Sequence, residues 1–367
     1  MKDVEYNPCE RGPFPVGVRN FVMKDDSRDS RRLEVDVWYP ASEDARGKDL
    51  DPKTQAVKPL AVGQMEGKVT QAAVSDAALR NDSAPYPLLI FSHGHAGYRF
   101  QSTFFTTHAA SHGYIVAAPD HTGNTFLKVM RLRKAEDQIK NLLDSRKNRP
   151  QDVGFILDQF LDKQSEAGQI FLPVIDTEKI GMSGHSFGGY TTLAAAGVDA
   201  RLKLLLPMAP PPEGGIPLFA YDQGELDWDR EIPTLLMAAE FDSLINYQQL
   251  REFFERIPCP KQMLTLKNAD HFHFCDEAAL IHNLFYVGIA SQLTAQQREN
   301  AVIPMADAKP IETLLDPRIS EDVIKGAGLA FLDMLFRDKT DAREWLSREN
   351  LEERFEGNVV MEKEVKA

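Results

Sequence analysis

The run Ile180-Gly181-Met182-Ser183-Gly184-His185-Ser186-Phe187-Gly188-Gly189, leading into an Ala-rich stretch that ends near Ala196, decides the fold. Ile180–Ser183 reads as a strand buried on both faces, and Ser186–Ala196 reads as a helix. Between them a serine sits on a turn so sharp that the residues two before and two after it must be small, a demand that Gly184 and Gly188 meet. A glycine-flanked serine alone is a weak signal. The strand before and the helix after distinguish a strained elbow, which exposes the hydroxyl as a nucleophile, from an ordinary glycine turn.

The same texture extends on both sides. Short apolar runs at Leu88–Ser92, Ile115–Ala118, Leu202–Pro207, Thr234–Ala239 and Gln262–Leu266 read as strands. Helical patterns alternate with them at Phe100–His112, Lys128–Asp144, Pro150–Gln164, Tyr247–Arg256, Glu277–Gln292 and Ser320–Phe336. Strand and helix in alternation predict a doubly wound, mostly parallel α/β sheet. Upstream, Val16–Met23 and Leu33–Tyr39 read as antiparallel N-terminal strands, the second alternating Leu33, Val35, Val37 and Tyr39 with polar neighbours. The sequence predicts one domain over residues 1–337, with excursions at 41–84, 123–149 and 214–231. The first excursion is expected to hide a partial helix, and the other two to form lids or pocket walls. Residues 338–367 are strongly charged and expected to be a frayed tail.

Composition removes several classes of function. The chain has 367 residues, 43% hydrophobic and 26% charged, which is a globular balance. Lys and Arg total 42 against 55 Asp and Glu, a net charge of −13 that argues against nucleic acid and gives little attraction to an anionic membrane. Cys9, Cys259 and Cys275 fit neither a disulfide framework nor a zinc site. With no leader-like apolar segment and no membrane-spanning run, a cytoplasmic protein is the expectation. His93, His95, His108, His112 and His121 are read as lining or supporting a pocket, because no carboxylate or Cys completes a metal constellation. No metal is therefore expected.

A serine at its ordinary pKa is a poor nucleophile, so a histidine must take its proton and an acid must hold that histidine. Asp242, after strand Thr234–Ala239, and His271, after strand Gln262–Leu266, fall at the carboxyl ends of parallel strands, where open α/β sheets build their sites. Both follow Ser186 in the order Ser, acid, His. Rivals stand beside each. Asp227, with Asp229, lies after strand Leu202–Pro207 and is the alternative acid, and His273 is the alternative base. The oxyanion of a tetrahedral intermediate needs two backbone N–H donors, assigned to Phe187, after the nucleophile, and His95, in Phe91-Ser92-His93-Gly94-His95-Ala96-Gly97. Cys275, four residues past His271, is read as a pocket-wall residue rather than a nucleophile.

Taken together, Phe91-Ser92-His93-Gly94, Ser111-His112-Gly113-Tyr114-Ile115-Val116-Ala117-Ala118 and Gly184-His185-Ser186-Phe187-Gly188-Gly189 resemble the type II platelet-activating-factor acetylhydrolases and their dienelactone-hydrolase-like relatives. The stretch His271-Phe272-His273-Phe274-Cys275-Asp276 is similar to that family's H-x-x-F-x-D and favours His271 as base. Glu240-Phe241-Asp242-Ser243 resembles the acid-bearing stretch of bacterial cutinase-like polyester hydrolases, whereas the acetylhydrolase branch places its acid nearer Asp227. The resemblance implies an α/β-hydrolase fold and a serine esterase, without metal or organic cofactor, acting on a short-chain acyl ester or a platelet-activating-factor-like phospholipid. Polyester, dienelactone or amide hydrolysis is the alternative, and a non-catalytic binding module is a further one. The lack of a leader and of an obvious cysteine pair argues against a dedicated polymer-degrading enzyme.

Overall fold

A computed structural model describes residues 6–62, 65–213, 221, 225–226, 228–258, 260–288, 293–299, 301–303 and 305–362, with the side chains of 59–66 and 287–288 left aside. Its N-terminal half contains strands β1 (Val16–Asp25), β2 (Arg31–Pro40), β3 (Ala56–Val62), β4 (Met65–Gln71), β5 (Val74–Ser75), β6 (Tyr86–Ser92) and β7 (Ile115–Asp120). Helices α1 (Thr103–Ser111), α2 (Phe126–Val129), α3 (Ala135–Leu161) and α4 (Glu166–Phe171) accompany them. Next come β8 (Ile175–His185), α5 (Phe187–Val198), β9 (Leu202–Met208), β10 (Thr234–Ala239), α6 (Tyr247–Arg256) and β11 (Lys261–Leu266). The chain continues through α7 (Ala278–Gly288), α8 (Ala295–Glu299), α9 (Pro317–Phe336), α10 (Thr340–Trp345), α11 (Arg348–Arg354) and β12 (Val359–Met361).

Among the described residues one sheet runs β12-β11-β10-β9-β8-β6-β7-β2-β1-β5. From β11 to β7 every neighbouring pair is parallel, while β1, β2 and β12 join antiparallel. The sequence-based fold class is therefore the observed one. The middle strands are apolar on both faces because helices cover both. On one side Leu88, Ile90, Met182, Leu205 and Leu236 meet Val153, Ile156, Leu157 and Phe160 of α3 and Leu193 and Ala194 of α5. On the other, Leu89, Phe91, Leu204, Leu206 and Leu235 meet Phe105 and Ala109 of α1 and Val323, Ala327 and Phe331 of α9. Each Val, Leu, Ile, Met or Phe side chain among these contributes on the order of 1.5–3 kcal/mol by leaving water.

Three local expectations fail. The excursion at 41–84 is a hairpin of β3 and β4, with only a 3-10 turn at Glu43–Ala45 and no longer helix among its described residues. The predicted break before Pro150 is absent. Helix α3 runs through it, because Leu142, Ser145, Arg149, Val153, Ile156 and Phe160 form one continuous buried face that packing holds in line. The charged C-terminal stretch is not a frayed tail up to residue 362: Ala342, Trp345, Leu346, Leu351 and Phe355 are buried, and β12 pairs with the edge of β11. Its charges occupy the outer faces of short helices whose inner spacing is apolar. No helix among the described residues is long and apolar enough to cross a membrane.

Candidate active site

Strand β8 delivers Ser186 to the carboxyl edge of the sheet, and α5 begins at the next residue. Ser186 has φ 57° and ψ −119°, a backbone state that costs a non-glycine residue on the order of 1–3 kcal/mol. The strain is held by the Ser186 N–H, which donates to Met208 O at 2.8 Å at the end of β9. Gly184 and Gly188 are small for a visible reason. A Cβ on Gly188 would lie 1.8 Å from Ser92 O, and one on Gly184 would lie 2.6 Å from that same oxygen and from Gly188 backbone.

His271 and Asp242 meet at the same edge. His271 Nδ1 and Asp242 Oδ2 are 2.8 Å apart, and both side chains are almost wholly buried. Asp242 Oδ1 accepts from Leu244 N at 2.9 Å and Ile245 N at 2.7 Å, so the carboxylate is fixed before it meets the imidazole. Burial opposes a charged imidazolium, but the Asp242 carboxylate outweighs it and leaves His271 with a pKa above its ordinary value. The His271 ring lies 4.5 Å from that of His185, the residue preceding the serine. No hydrogen bond joins Ser186 Oγ to His271 here, a looseness common before substrate binds.

The rival base faces elsewhere. His273 Nδ1 accepts from Asp270 N at 3.0 Å and its Nε2 donates to Leu315 O at 2.9 Å, so both ring nitrogens are committed to backbone. Asp227 lies outside the described residues, and Asp229 is exposed beside Arg230. Cys275 is buried 3.7 Å from His185 Nδ1, and burial pushes its thiol pKa up, away from the reactive thiolate. Cys259 is also outside the described residues.

The loop after β6 comes directly beside the nucleophile. A Cβ on Gly94 would lie 3.4 Å from Ser186 Cβ, and the His95 and Phe187 rings are 6.1 Å apart. Phe187 is the first residue of α5, where backbone N–H groups project from the helix end. Gln101, which the sequence reading did not single out, ties loop to elbow: its Oε1 accepts from Gly94 N at 3.0 Å and its Nε2 donates to His185 Nδ1 at 2.9 Å. A cleft of about 580 Å³, lined by Phe241, Asp242, Tyr247, Met305 and Lys309 among others, includes neither Ser186 nor His271.

The histidines divide into two groups. His93, His95 and His121 support the loop: His121 Nδ1 donates to Asp152 Oδ2 at 2.9 Å, and its Nε2 lies 2.8 Å from Ser92 Oγ. His108 and His112 instead bond Pro8 O and Glu10 O, fastening the N-terminal segment to α1, so they do not line a pocket. Asp152, fully buried, also accepts from Arg28 and Arg31. Arg149 and Asp152 were missed by motif reading. Their signal was charge at the core-facing positions of a helix that otherwise presents Val153, Ile156 and Phe160.

The family model "Platelet-activating factor acetylhydrolase, isoform II" matches residues 5–170, which include the His95 loop, Arg149 and Asp152 but end before Ser186. A platelet-activating factor acetylhydrolase of Bos taurus is 29% identical over 232 residues, covering 55% of this chain and 50% of the relative. Cutinase est2 of Thermobifida alba is 27% identical over 190 residues, covering 51% and 53%. In these matches the chain spans about half the length of the curated relatives. A ferulic acid esterase from Streptomyces cinnamoneus superposes with a TM-score of 0.63 at 20% identity, covering 98% of this chain and 100% of the other, a likeness of fold. The elbow between β8 and α5, the parallel sheet and the structural likeness give this chain the fold of the ferulic acid esterase, an α/β-hydrolase fold, and its first half is similar to the platelet-activating factor acetylhydrolase isoform II family.

Proposed function

We propose that this protein is a serine esterase that cleaves carboxylic esters through an acyl-enzyme. The observation that carries this reading is the buried His271–Asp242 pair at 2.8 Å, at the same sheet edge as a serine held at φ 57°. Ser186 Oγ attacks the ester carbonyl while His271 Nε2 takes its proton. Asp242, bonded to Nδ1, fixes the ring and stabilises the imidazolium. The N–H groups of His95 and Phe187 receive the oxyanion. The tetrahedral intermediate collapses as His271 returns the proton to the departing alkoxide. Water, deprotonated by the same histidine, then releases the acid and restores Ser186.

Short-chain acyl esters, including the sn-2 acetyl group of a platelet-activating-factor-like phospholipid, are the preferred substrates, supported by likeness to the acetylhydrolases. The similarity to cutinase est2 makes a polyester the second class to test. A series of p-nitrophenyl esters from two to twelve acyl carbons, an sn-2 acetyl phospholipid, a polyester film and an anilide separates these. The reading expects kcat/KM to be highest for the short acyl groups and undetectable for the anilide. Preference for long chains or film would replace the substrate class, and absence of turnover on every ester would remove the esterase reading.

A further inference from the structure

Beneath the loop that carries His95 lies a buried cation the acylation chemistry does not use. Arg149 of α3 is fully buried, and among the described residues no carboxylate lies within ion-pair distance of it. Its guanidinium donates instead to backbone and to an amide, Nη1 to His93 O at 2.6 Å, Nη2 to Gly94 O at 3.1 Å and Nη2 to Asn124 Oδ1 at 2.6 Å, with longer contacts to Ser92 Oγ at 3.5 Å and His93 Nδ1 at 3.3 Å. Its Cζ sits 4.3 Å from the centre of the Phe187 ring, and its Nε has no hydrogen-bond partner. The nearby Asp152 carboxylate is already taken by Arg28, Arg31 and His121. Burial lowers the Arg149 pKa to about 9, which leaves the side chain cationic at neutral pH. A cation desolvated this completely is a poor space-filler, since a methionine would fit a core without the desolvation.

The geometry gives it a task. Gly94 C=O and His95 N–H are the two ends of one peptide group. A cation at the oxygen end draws electron density from the nitrogen and strengthens the N–H as a donor, as hydrogen-bonded chains polarise one another. The bond to His93 O, with Gln101 Oε1 holding Gly94 N, fixes the plane of the preceding His93–Gly94 peptide, so that the bond to Gly94 O acts on a peptide already held at its N-terminal side. The same guanidinium rests against Phe187, whose N–H is the second assigned donor. We propose that Arg149 is a positioning residue of the oxyanion hole, which polarises and aims the Gly94–His95 peptide while bracing Phe187. The proposal rests on the esterase reading above, with Ser186 as nucleophile.

The test compares the wild type with R149M and R149K. Active sites are counted by end-point labelling with a fluorophosphonate, kcat and KM are measured on p-nitrophenyl acetate, and Ki is measured for a trifluoromethyl ketone whose hemiketal oxyanion occupies the hole. In R149M, kcat per titrated site should fall by ~10²-fold, as for loss of an oxyanion donor, with KM within about threefold. The Ki should rise by the factor that kcat/KM loses, and R149K should recover part of both. A fall only in the titratable fraction, with kcat per site and Ki unchanged, would assign Arg149 to folding alone and overturn the proposal. Should R149M fail to fold, R149K decides, because it keeps the cation and loses the forked bonds to Gly94 O and Asn124 Oδ1. A ~3–10-fold loss of kcat at constant KM supports the proposal, and unchanged kcat overturns it. Wild-type inactivity would sink the esterase reading and this inference together, whereas an active, Ser186-dependent wild type with an unaffected R149M sinks this inference alone.

Discussion

Replacing Gly188 with alanine puts a methyl group where the fold has no room. The new Cβ would lie 1.8 Å from Ser92 O, 2.5 Å from Ser92 C and 3.0 Å from His93 O. Real Cβ contacts do not fall under 3.0 Å, so the gap at Ser92 must open by about 1.2 Å. The opposing atoms are backbone, with Ser92 paired in register with Gly184 across β6 and β8, so no side chain can swing aside. Either the end of β6 moves, carrying the His93–His95 loop, or the elbow moves, carrying Ser186. A displacement of about 1 Å between nucleophile and oxyanion donors costs on the order of 10²-fold in rate. Overpacking should also remove about 1–3 kcal/mol of stability. The assay is kcat/KM on p-nitrophenyl acetate per titrated site, with urea unfolding alongside. Gly154→Ala is the matched control: in α3 its Cβ would meet only Asp199 Oδ2 at 3.6 Å, so activity should hold within about twofold and stability should rise by up to about 1 kcal/mol. A Gly188→Ala enzyme within about threefold of wild type would refute the reasoning that close approach of β6 and the elbow sets the site.

Two further perturbations act through charge. Because Asp242 holds His271 above its ordinary pKa of 6.5, and only the neutral imidazole takes the serine proton, kcat/KM should rise with pH through an apparent pKa above that value. In Asp242→Asn burial dominates, so the limb should move to lower pH while kcat falls by ~10⁴-fold; a limb that stays in place would contradict the pairing. Asp152→Asn, which strips the acceptor from Arg28, Arg31 and His121, should destabilise the fold by about 3–5 kcal/mol in urea at neutral pH. Burial opposes the Asp152 charge, but these partners outweigh it and depress its pKa, so the wild type's advantage is present above about pH 4 and shrinks as acid protonates the carboxylate. An advantage independent of pH would deny the carboxylate that role.

The parallel strands were legible because β6, β8, β9, β10 and β11 are short runs without alternation, the mark of burial on two faces. The meeting of His271 with Asp242 was legible from chain order and strand ends, since both residues leave neighbouring strands β11 and β10 at one edge. What escaped reading depends on contacts distant in sequence. Lys128–Asp144 and Pro150–Gln164 read as two helices where α3 is one, since the penalty for an interior proline is local while the packing that carries α3 through Pro150 comes from the sheet and α5. The segment after Asp338 looked solvated because its charges outnumber its apolar residues, yet Trp345, Leu351 and Phe355, from two short helices and the residue after them, are all buried. Arg149 was invisible for the opposite reason. Two of its partners are backbone carbonyl oxygens, which every residue carries and no motif marks, and its side-chain partners lie at least 25 residues away in sequence.

The central claim is that Ser186 is an activated nucleophile, and the most direct measurement is the intact mass of the protein after exposure to a fluorophosphonate, followed by peptide mapping. The account predicts one adduct per chain, on Ser186, formed at a rate that follows deprotonation of His271 and absent in Ser186→Ala. An unmodified chain, or an adduct that persists in Ser186→Ala, would contradict it.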